Sequence, residues 1–279
     1  MKSGETATTE QNEPDERLVS VMRTMQVLQM LSLEERGHTL AHIARALDVN
    51  KSIALQILST LVAENYLYQS EDGQYYALTY KVSALGLRSL VSNRLFGQIQ
   101  PRLRAIAEDT GELVLFSLVS SDGPHWVLSA MGSARRRLQV EPSMKMVLHS
   151  SASGKGWLAT LSDEEIITVL GDKLEATTSR TKVSLEAILA DIATIRQTGA
   201  AYSDQENEEG IKAVAVPVWR ETFGKRRCIA FISITAPVSR VSNEDFTRFE
   251  AILKEASVYV ADVWPLDETE HMSYTLLPR

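Results

Sequence analysis

The chain has a single cysteine, Cys228, among 279 residues. A lone thiol cannot close an internal disulfide, so the fold must be held by burial and hydrogen bonding, as suits a reducing cytoplasm. Cys228 opens the apolar run 228–234, which makes it a packed core residue rather than a reactive one. No stretch of 18 consecutive apolar residues occurs, so neither a membrane span nor a membrane partner is expected. The first apolar segment, 18–33, is interrupted by Arg23, Gln26 and Gln29, a helical pattern rather than a secretion signal. The five histidines offer no metal-ligand spacing beyond His38 and His42 at i,i+4, and no metal or other cofactor is expected. Gly154-Lys155-Gly156 lacks both the spacing of a phosphate-binding loop and the hydroxyl residue after its lysine. His149, Ser151 and Ser153 invite a nucleophile, but no GxSxG turn surrounds these serines. The chain is therefore not read as an enzyme.

What is present is ordinary for globular protein: 44% apolar and 23% charged residues, in a chain long enough for two cores. The net charge of −7 is unevenly spread. Residues 1–16 carry −4, residues 17–94 carry +2 and the remainder −5. A weakly basic head on an acidic body neither requires nor excludes a nucleic-acid partner.

The most informative stretch is 39–61. Leu40, Ile43, Ala44 and Leu47 recur at i, i+3, i+4, i+7, one apolar stripe on a helix, and Thr39 stands where its hydroxyl can cap the first turn. Asp48-Val49-Asn50 breaks the pattern, and Ala54, Ile57, Leu58 and Leu61 define the inner face of a second helix. Two short helices joined by a tight break have the geometry of a helix-turn-helix, whose second helix enters the DNA major groove. Tyr66-Leu67-Tyr68 and Tyr75-Tyr76-Ala77-Leu78 then flank an Asp72-Gly73 turn, a hairpin signal that completes a winged helix-turn-helix.

Elsewhere, residues 1–16 read as a disordered tail and 266–279 as a C-terminal tail. Val21, Met25, Leu28 and Met30 or Leu31 predict a helix behind the helix-turn-helix, ended by Gly37. Residues 17–79 form the DNA-binding head and 80–99 a linker helix, bent because its apolar spacing is irregular. Pro101 is expected to open a new helix, closed by Gly111, at the start of a second domain over 100–265. Strands are predicted at 112–119, 125–131, 138–140, 213–219 and 228–235. Helices follow Ser150–Ser153, the Ser162/Glu165 capping box, the run Leu185 to Ile195 ended by Gly199, and the Ser242/Asp245 cap. This mixture makes the second domain α+β with a mainly antiparallel sheet.

On the helix 51–61 the positions left facing outward are Lys51, Ser52, Ile53, Leu55, Gln56 and Ser59. Gln56 has the donor and acceptor that pair with adenine, Ile53 and Leu55 can meet thymine methyls, and Lys51 and Ser52 suit phosphates. Ile53 can equally pack into its own domain. In the wing, Gln69, Ser70 and Gln74 are candidates for backbone contacts, and Thr39 completes the DNA-facing set. In the second domain, Ser151-Ala152-Ser153-Gly154 at a helix start would present N–H groups and hydroxyls suited to a carboxylate. Arg135-Arg136-Arg137 reads as a solvated hairpin feature, with an acidic ligand or a partner subunit as rival uses.

Thr39-Leu40, Ile43-Ala44, Leu47, Lys51-Ser52, Leu58, Leu61 and Asp72-Gly73-Gln74-Tyr75, in this order, resemble the IclR family of bacterial transcription regulators. The likeness extends over about 17–264, through the 149–159 run HSSASGKGWLA and through Glu206, Gly210, Ala213, Ala215 and Pro217. Two departures fall on the reading helix: Ile53 where the family usually has Thr, and Gln56 where Arg is frequent. The resemblance implies a GAF-like effector-binding second domain and a linker helix that helps to pair subunits. Carried over by position, the effector pocket would include Leu148, Ser153, Gly154, Ser203, Ile211, Ala213, Ser233 and Thr235, with Ala213 replacing a cysteine found in some relatives. Asp204 and Glu206 are read either as part of that site or as surface charges.

The expected protein is a cytoplasmic, ligand-responsive transcription regulator. Its partners would be double-stranded operator DNA, a small carboxylate or aromatic-acid effector, and further copies of itself in a homodimer or homotetramer. The rival reading is a metabolite sensor or enzyme whose head is a protein-interaction module.

Overall fold

The computed structural model describes residues 18–264 apart from 35, 93–94, 133–145, 172 and 223–224, and of 89–92, 95 and 222 only the backbone. The predicted strand at 138–140, Arg135–Arg137 and both tails lie outside the described residues. Contacts divide the chain into two compact units, Met1–Gly86 and Leu87–Arg279.

The first unit is built from α1 (Val19–Leu31), β1 (His38–Thr39), α2 (Leu40–Ala46), α3 (Lys51–Ala63), β2 (Leu67–Gln69) and β3 (Tyr75–Leu78). The strands form an antiparallel sheet in the order β1-β3-β2. Thr39 caps α2, its hydroxyl accepting from His42 N–H at 3.3 Å, and Asn50 caps α3, accepting from Ile53 N–H at 2.9 Å. Asp48 between them has φ 50°, a left-handed conformation that aspartate tolerates better than most residues. The shared core contains Val27, Leu31, Ile43, Leu58, Leu61 and Tyr76.

Two expectations fail here. Val21 and Met25 of α1 are exposed, because the helix packs through the face that carries Val27 and Leu31, rotated roughly a third of a turn from the one that carries Val21 and Met25. Nor does Gly37 end α1, which stops at Leu31. At φ +70°, a Cβ on Gly37 would lie 2.1 Å from the Tyr76 carbonyl oxygen, so glycine lets β1 pair with β3.

The backbone continues through α4 (Tyr80–Ser92), which crosses the boundary between units, into α5 (Leu95–Thr110). Pro101 does not open a helix; it lies inside α5. Its missing N–H and ring clash cost about 3 kcal/mol in a helix interior. Against this, Ile99, Leu103, Ile106 and Ala107 are buried along one face of α5. At roughly 1.5–3 kcal/mol for each large apolar side chain, burial outweighs the proline.

The second unit adds β4 (Leu113–Ser120), β5 (Gly123–Ala130), α6 (Ala152–Leu158), α7 (Asp163–Leu170), α8 (Leu185–Thr198), β6 (Ala201–Asp204), β7 (Ile211–Thr222), β8 (Lys225–Pro237) and α9 (Asn243–Val263). The five strands are antiparallel throughout, in the order β5-β4-β8-β7-β6, so the fold is α+β as expected. Strand alternation gives the sheet two unlike faces. Val114 and Phe116, Val214 and Val216, and Ile232 and Ile234 point to a face covered by α5 and α9, where Phe246, Phe249, Leu253, Ala256 and Val260 complete the core. The opposite face packs under α6 and α8 through Ala215, Phe231, Trp157, Ile188 and Ile192. Among the described residues no helix is long and apolar enough to cross a membrane.

Candidate functional site

In the first unit the exposed side of α3 is the feature of interest. Ala54, Ile57, Leu58 and Leu61 are buried, while Lys51, Ser52, Gln56 and Ser59 are exposed and Leu55 retains 43% exposure. Ile53 is half-buried and packs against the core of its own unit. Thr39 is half-buried, its hydroxyl engaged in the α2 cap. At the wing, Gln74 is exposed, but Gln69 and Ser70 are committed to the turn: Gln69 donates to the Gly73 carbonyl and Ser70 to Asp72. The Ser70 hydroxyl, followed by the Gln74 N–H, holds the Asp72 carboxyl below its ordinary pKa.

The rings of His38 and His42 stack with centroids 4.2 Å apart. Among the described residues no group of three or more histidine, cysteine or acidic side chains is placed to hold a metal. Cys228 is mostly buried, and that burial pushes its thiol up to about 12, so it stays protonated and unreactive at neutral pH.

The second unit contains a cleft that opens to solvent, about 590 Å³ when the open space at its mouth is included. Its floor comes from strand register. Ser203 pairs with Ala213 and Ala213 with Thr235; in the next row Ala215 pairs with Ser233 and Ser233 with Leu115. These residues share one face, and most are small. Short side chains cannot fill the separation between a sheet and the helix above it, so space remains where Phe231, two residues along β8, closes the core instead.

The remaining walls come from Ser151, Ala152 and Ser153 at the start of α6, from Trp126 on β5, and from Asn207, Glu208 and Ile211 after β6. Ser151 caps α6, its hydroxyl accepting from Gly154 N–H at 3.2 Å. Six of the eight expected pocket residues therefore border the cleft: Ser153, Ser203, Ile211, Ala213, Ser233 and Thr235. Leu148 and Gly154 do not. Leu148 packs into the core under α6, and Gly154 is buried where a Cβ would come within 2.5 Å of the Leu148 carbonyl oxygen.

All seven residues of α6 are buried, including a lysine. Lys155 Nζ donates to both oxygens of Glu206, at 2.7 and 2.9 Å, and to Asp191 of α8 at 3.0 Å. Asp191 also pairs with Lys182. Burial would raise the Asp191 carboxyl, but the two ammonium groups overcome it and hold the pKa below the ordinary value. The reading of Glu206 as a surface charge is thus corrected: it is buried, whereas Asp204 is half-exposed and faces Arg180. The Glu206 carbonyl accepts from the hydroxyls of Thr177 and Thr181, and Ser150 donates to Asn207. The segment bearing Asn207 and Glu208 is consequently anchored from three directions. His149 is spoken for as well, its Nε2 lying 3.1 Å from the Glu175 carbonyl oxygen, and among the described residues it bonds no serine.

Sequence reasoning missed Leu115, Trp126, Asn207 and Glu208. Leu115 was reachable from strand alternation once the pairing of β4 with β8 was known. The others depend on loop paths and on a register shift between Phe116 and Ser117.

Comparison with known proteins matches residues 20–71 to the IclR helix-turn-helix domain and residues 87–261 to the family described as bacterial transcriptional regulator IclR C-terminal. The HTH-type transcriptional regulator KdgR of Escherichia coli (strain K12) is 28% identical over 239 residues, covering 85% of this chain and 89% of the relative. A crystal structure of an IclR transcriptional regulator from Alicyclobacillus acidocaldarius superposes with TM-score 0.76 at 26% identity, covering 88% of this chain and 98% of the other. The fold is also shared with an IclR homolog from Microbacterium hydrocarbonoxydans complexed with 4-hydroxybenzoate, with TM-score 0.70 at 20% identity, covering 87% and 98%.

Proposed function

The chain belongs to the IclR family of bacterial transcriptional regulators, and from that membership we propose a ligand-responsive regulator that binds operator DNA through α3 and senses a small organic acid in the cleft. The observation that carries this reading is the division of α3 into a buried apolar side and an exposed side bearing Lys51, Ser52, Leu55, Gln56 and Ser59. A helix of this kind, second in a helix-turn-helix and followed by a hairpin wing, is suited to the major groove. Lys51 and Ser52 contact phosphates, Gln56 and Leu55 read base edges, and Ile53, Thr39 and Gln74 support the docked helix and wing.

A regulator with one such head per subunit engages a pseudo-palindromic operator as a dimer or a dimer of dimers. The acid is supported by the hydroxyls that border the cleft and by the first-turn N–H groups of α6. A coupling of about 1–3 kcal/mol between cleft and head gives a 5–150-fold change in operator affinity.

The test is a mobility-shift titration of the full-length protein on the intergenic DNA upstream of its own gene. A shift at low salt that survives excess unrelated duplex is expected. Absence of any shift, with and without a panel of organic acids, overturns the reading.

A further inference from the structure

Resting on the reading of the cleft as the effector site, we propose that its ligand is a polyhydroxylated aliphatic compound, a sugar acid or its parent sugar, rather than an aromatic acid. The observation is a set of hydroxyls that line the cleft and bond nothing in the protein. Ser153, Ser203 and Ser233 are only 3%, 3% and 4% exposed, all three border the cleft, and none has a hydrogen-bond partner among the described residues. Thr235, half-buried beside them, has none either. None of these oxygens is sealed from solvent: among the described residues the buried side-chain atoms without a partner are Arg102 Nε and Ser117 Oγ. Four hydroxyls that bond nothing in the protein and line one open cleft mark places where a ligand can replace water as the partner.

Their arrangement selects the ligand class. Ser153 stands on α6, Ser203 on β6, and Ser233 and Thr235 on β8. Ser233 and Thr235 are two residues apart on one strand, roughly 6.8 Å, and Ser203 lies two strand spacings from Thr235, roughly 9.5 Å. One carboxylate is too compact to reach all of these groups. A carbon chain bearing a hydroxyl at each of several successive carbons reaches them together. The flat face of a benzene ring laid on this floor would leave the serine hydroxyls without water or partner, a loss of roughly five- to a hundred-fold in affinity for each.

The other walls agree. The Asn207 amide and the Glu208 carboxylate sit side by side on the rim and together offer donors and acceptors to neighbouring hydroxyls. The Trp126 indole and Leu115 supply an apolar surface for the carbon-bound hydrogens of the same molecule.

The experiment is calorimetric titration of the full-length protein with D-gluconate, D-galactonate, D-xylonate and D-galacturonate, with the corresponding neutral sugars, and with 4-hydroxybenzoate and pyruvate. Saturable binding of at least one polyhydroxy compound is expected, weakened about ten-fold or more by Ser203→Ala and by Ser233→Ala. Ligand-free thermal stability of both variants should be unchanged, since neither hydroxyl bonds another group of the protein; a structural serine would lower it. The acid and neutral arms show whether a carboxylate is required.

Binding confined to 4-hydroxybenzoate or pyruvate overturns the proposal, as does no binding by any compound, or a polyhydroxy ligand indifferent to both substitutions. Ala213→Phe, which fills the floor, separates this from the wider reading. If it abolishes binding of an aromatic acid, the cleft is the effector site and only the ligand class is wrong. A bound polyhydroxy compound that leaves operator affinity unaltered removes the sensing role and leaves the ligand class standing.

Discussion

Lys155 and Glu206, 51 positions apart in the chain, form an ion pair beneath the cleft with side-chain exposures of 2% and 7%. The pair ties α6, which carries Ser153, to the segment that carries Asn207 and Glu208, so two walls of the cleft share one buried anchor. Removing one member of such a pair leaves the other charge uncompensated, at a cost of about 3–5 kcal/mol, whereas replacing both with apolar groups is often neutral. Lys155→Met should therefore lower stability by about 3–5 kcal/mol in urea denaturation, and Lys155→Met combined with Glu206→Met should recover most of it. A double variant no more stable than the single one would show that the network acts through Asp191 instead.

Asp191 gives the pH dependence. Its carboxyl is depressed below the ordinary value because Lys182 and Lys155 together outweigh desolvation. A depressed acid contributes stability that is complete above its unfolded pKa, near 4, and is lost as pH falls through the lower folded value. Thermal midpoints should thus be insensitive to this group at pH 5 and above and should decline below about pH 4. Asp191→Asn should lower the midpoint at pH 7 and flatten that decline. An acid limb identical in the two proteins would assign it elsewhere, with Glu250, depressed through Lys254 and Tyr202 despite its own burial, the first alternative.

What the sequence disclosed and what it withheld divide along physical lines. Features set within one helical turn were legible: the caps at Thr39 and Ser162, the Ser242/Asp245 box, and the inner face of α3. No strand is predicted before residue 213 in this region, because the pairing that makes Ala201–Asp204 a strand is non-local. Pro101 looked like a helix start because local preference is blind to the apolar face buried along α5. Lys155 looked like part of a failed phosphate loop, since its partners come from α8 and from beyond β6. The floor of the cleft was half legible: the small residues on β7 and β8 were visible, but their meeting with Ser203 required register.

Gly154 and Gly156 test how tightly α6 is held. A Cβ on Gly154 would meet the Leu148 backbone at 2.5 Å, and one on Gly156 the Phe231 ring at 2.6 Å. Alanine gains about 0.5–1 kcal/mol of helix preference at either site, but overpacking of this kind costs about 1–3 kcal/mol. Gly154→Ala, which strikes backbone, should therefore destabilise on balance by about 1–2 kcal/mol in a thermal or urea melt. Gly97→Ala, in α5 with nothing within 4 Å of the added methyl, should stabilise instead by about 0.5–1 kcal/mol. Equal effects at the two positions would mean that α6 has room to move.

The reading of DNA separates by residue. Gln56 is exposed on α3 and can bond adenine through both side-chain amide atoms, a contact worth about 1–3 kcal/mol of discrimination at one base pair. Gln56→Ala should therefore relax preference at a single operator position while leaving binding to unrelated duplex unchanged. Lys51 is exposed in the first turn of α3, where the proposed docking assigns it to a phosphate, so Lys51→Ala should weaken binding to all sequences alike and reduce the slope of log affinity against log salt by about 1. Asn50→Ala removes the α3 cap and should cost about 1 kcal/mol of stability in the first unit, weakening specific binding more than non-specific binding because the frayed turn carries Lys51, Ser52 and Ile53. Competition titrations over a set of single-base operator variants at two or more salt concentrations distinguish the three. Uniform weakening by Gln56→Ala would reassign that side chain to the backbone and move base recognition to Leu55 and Ser59.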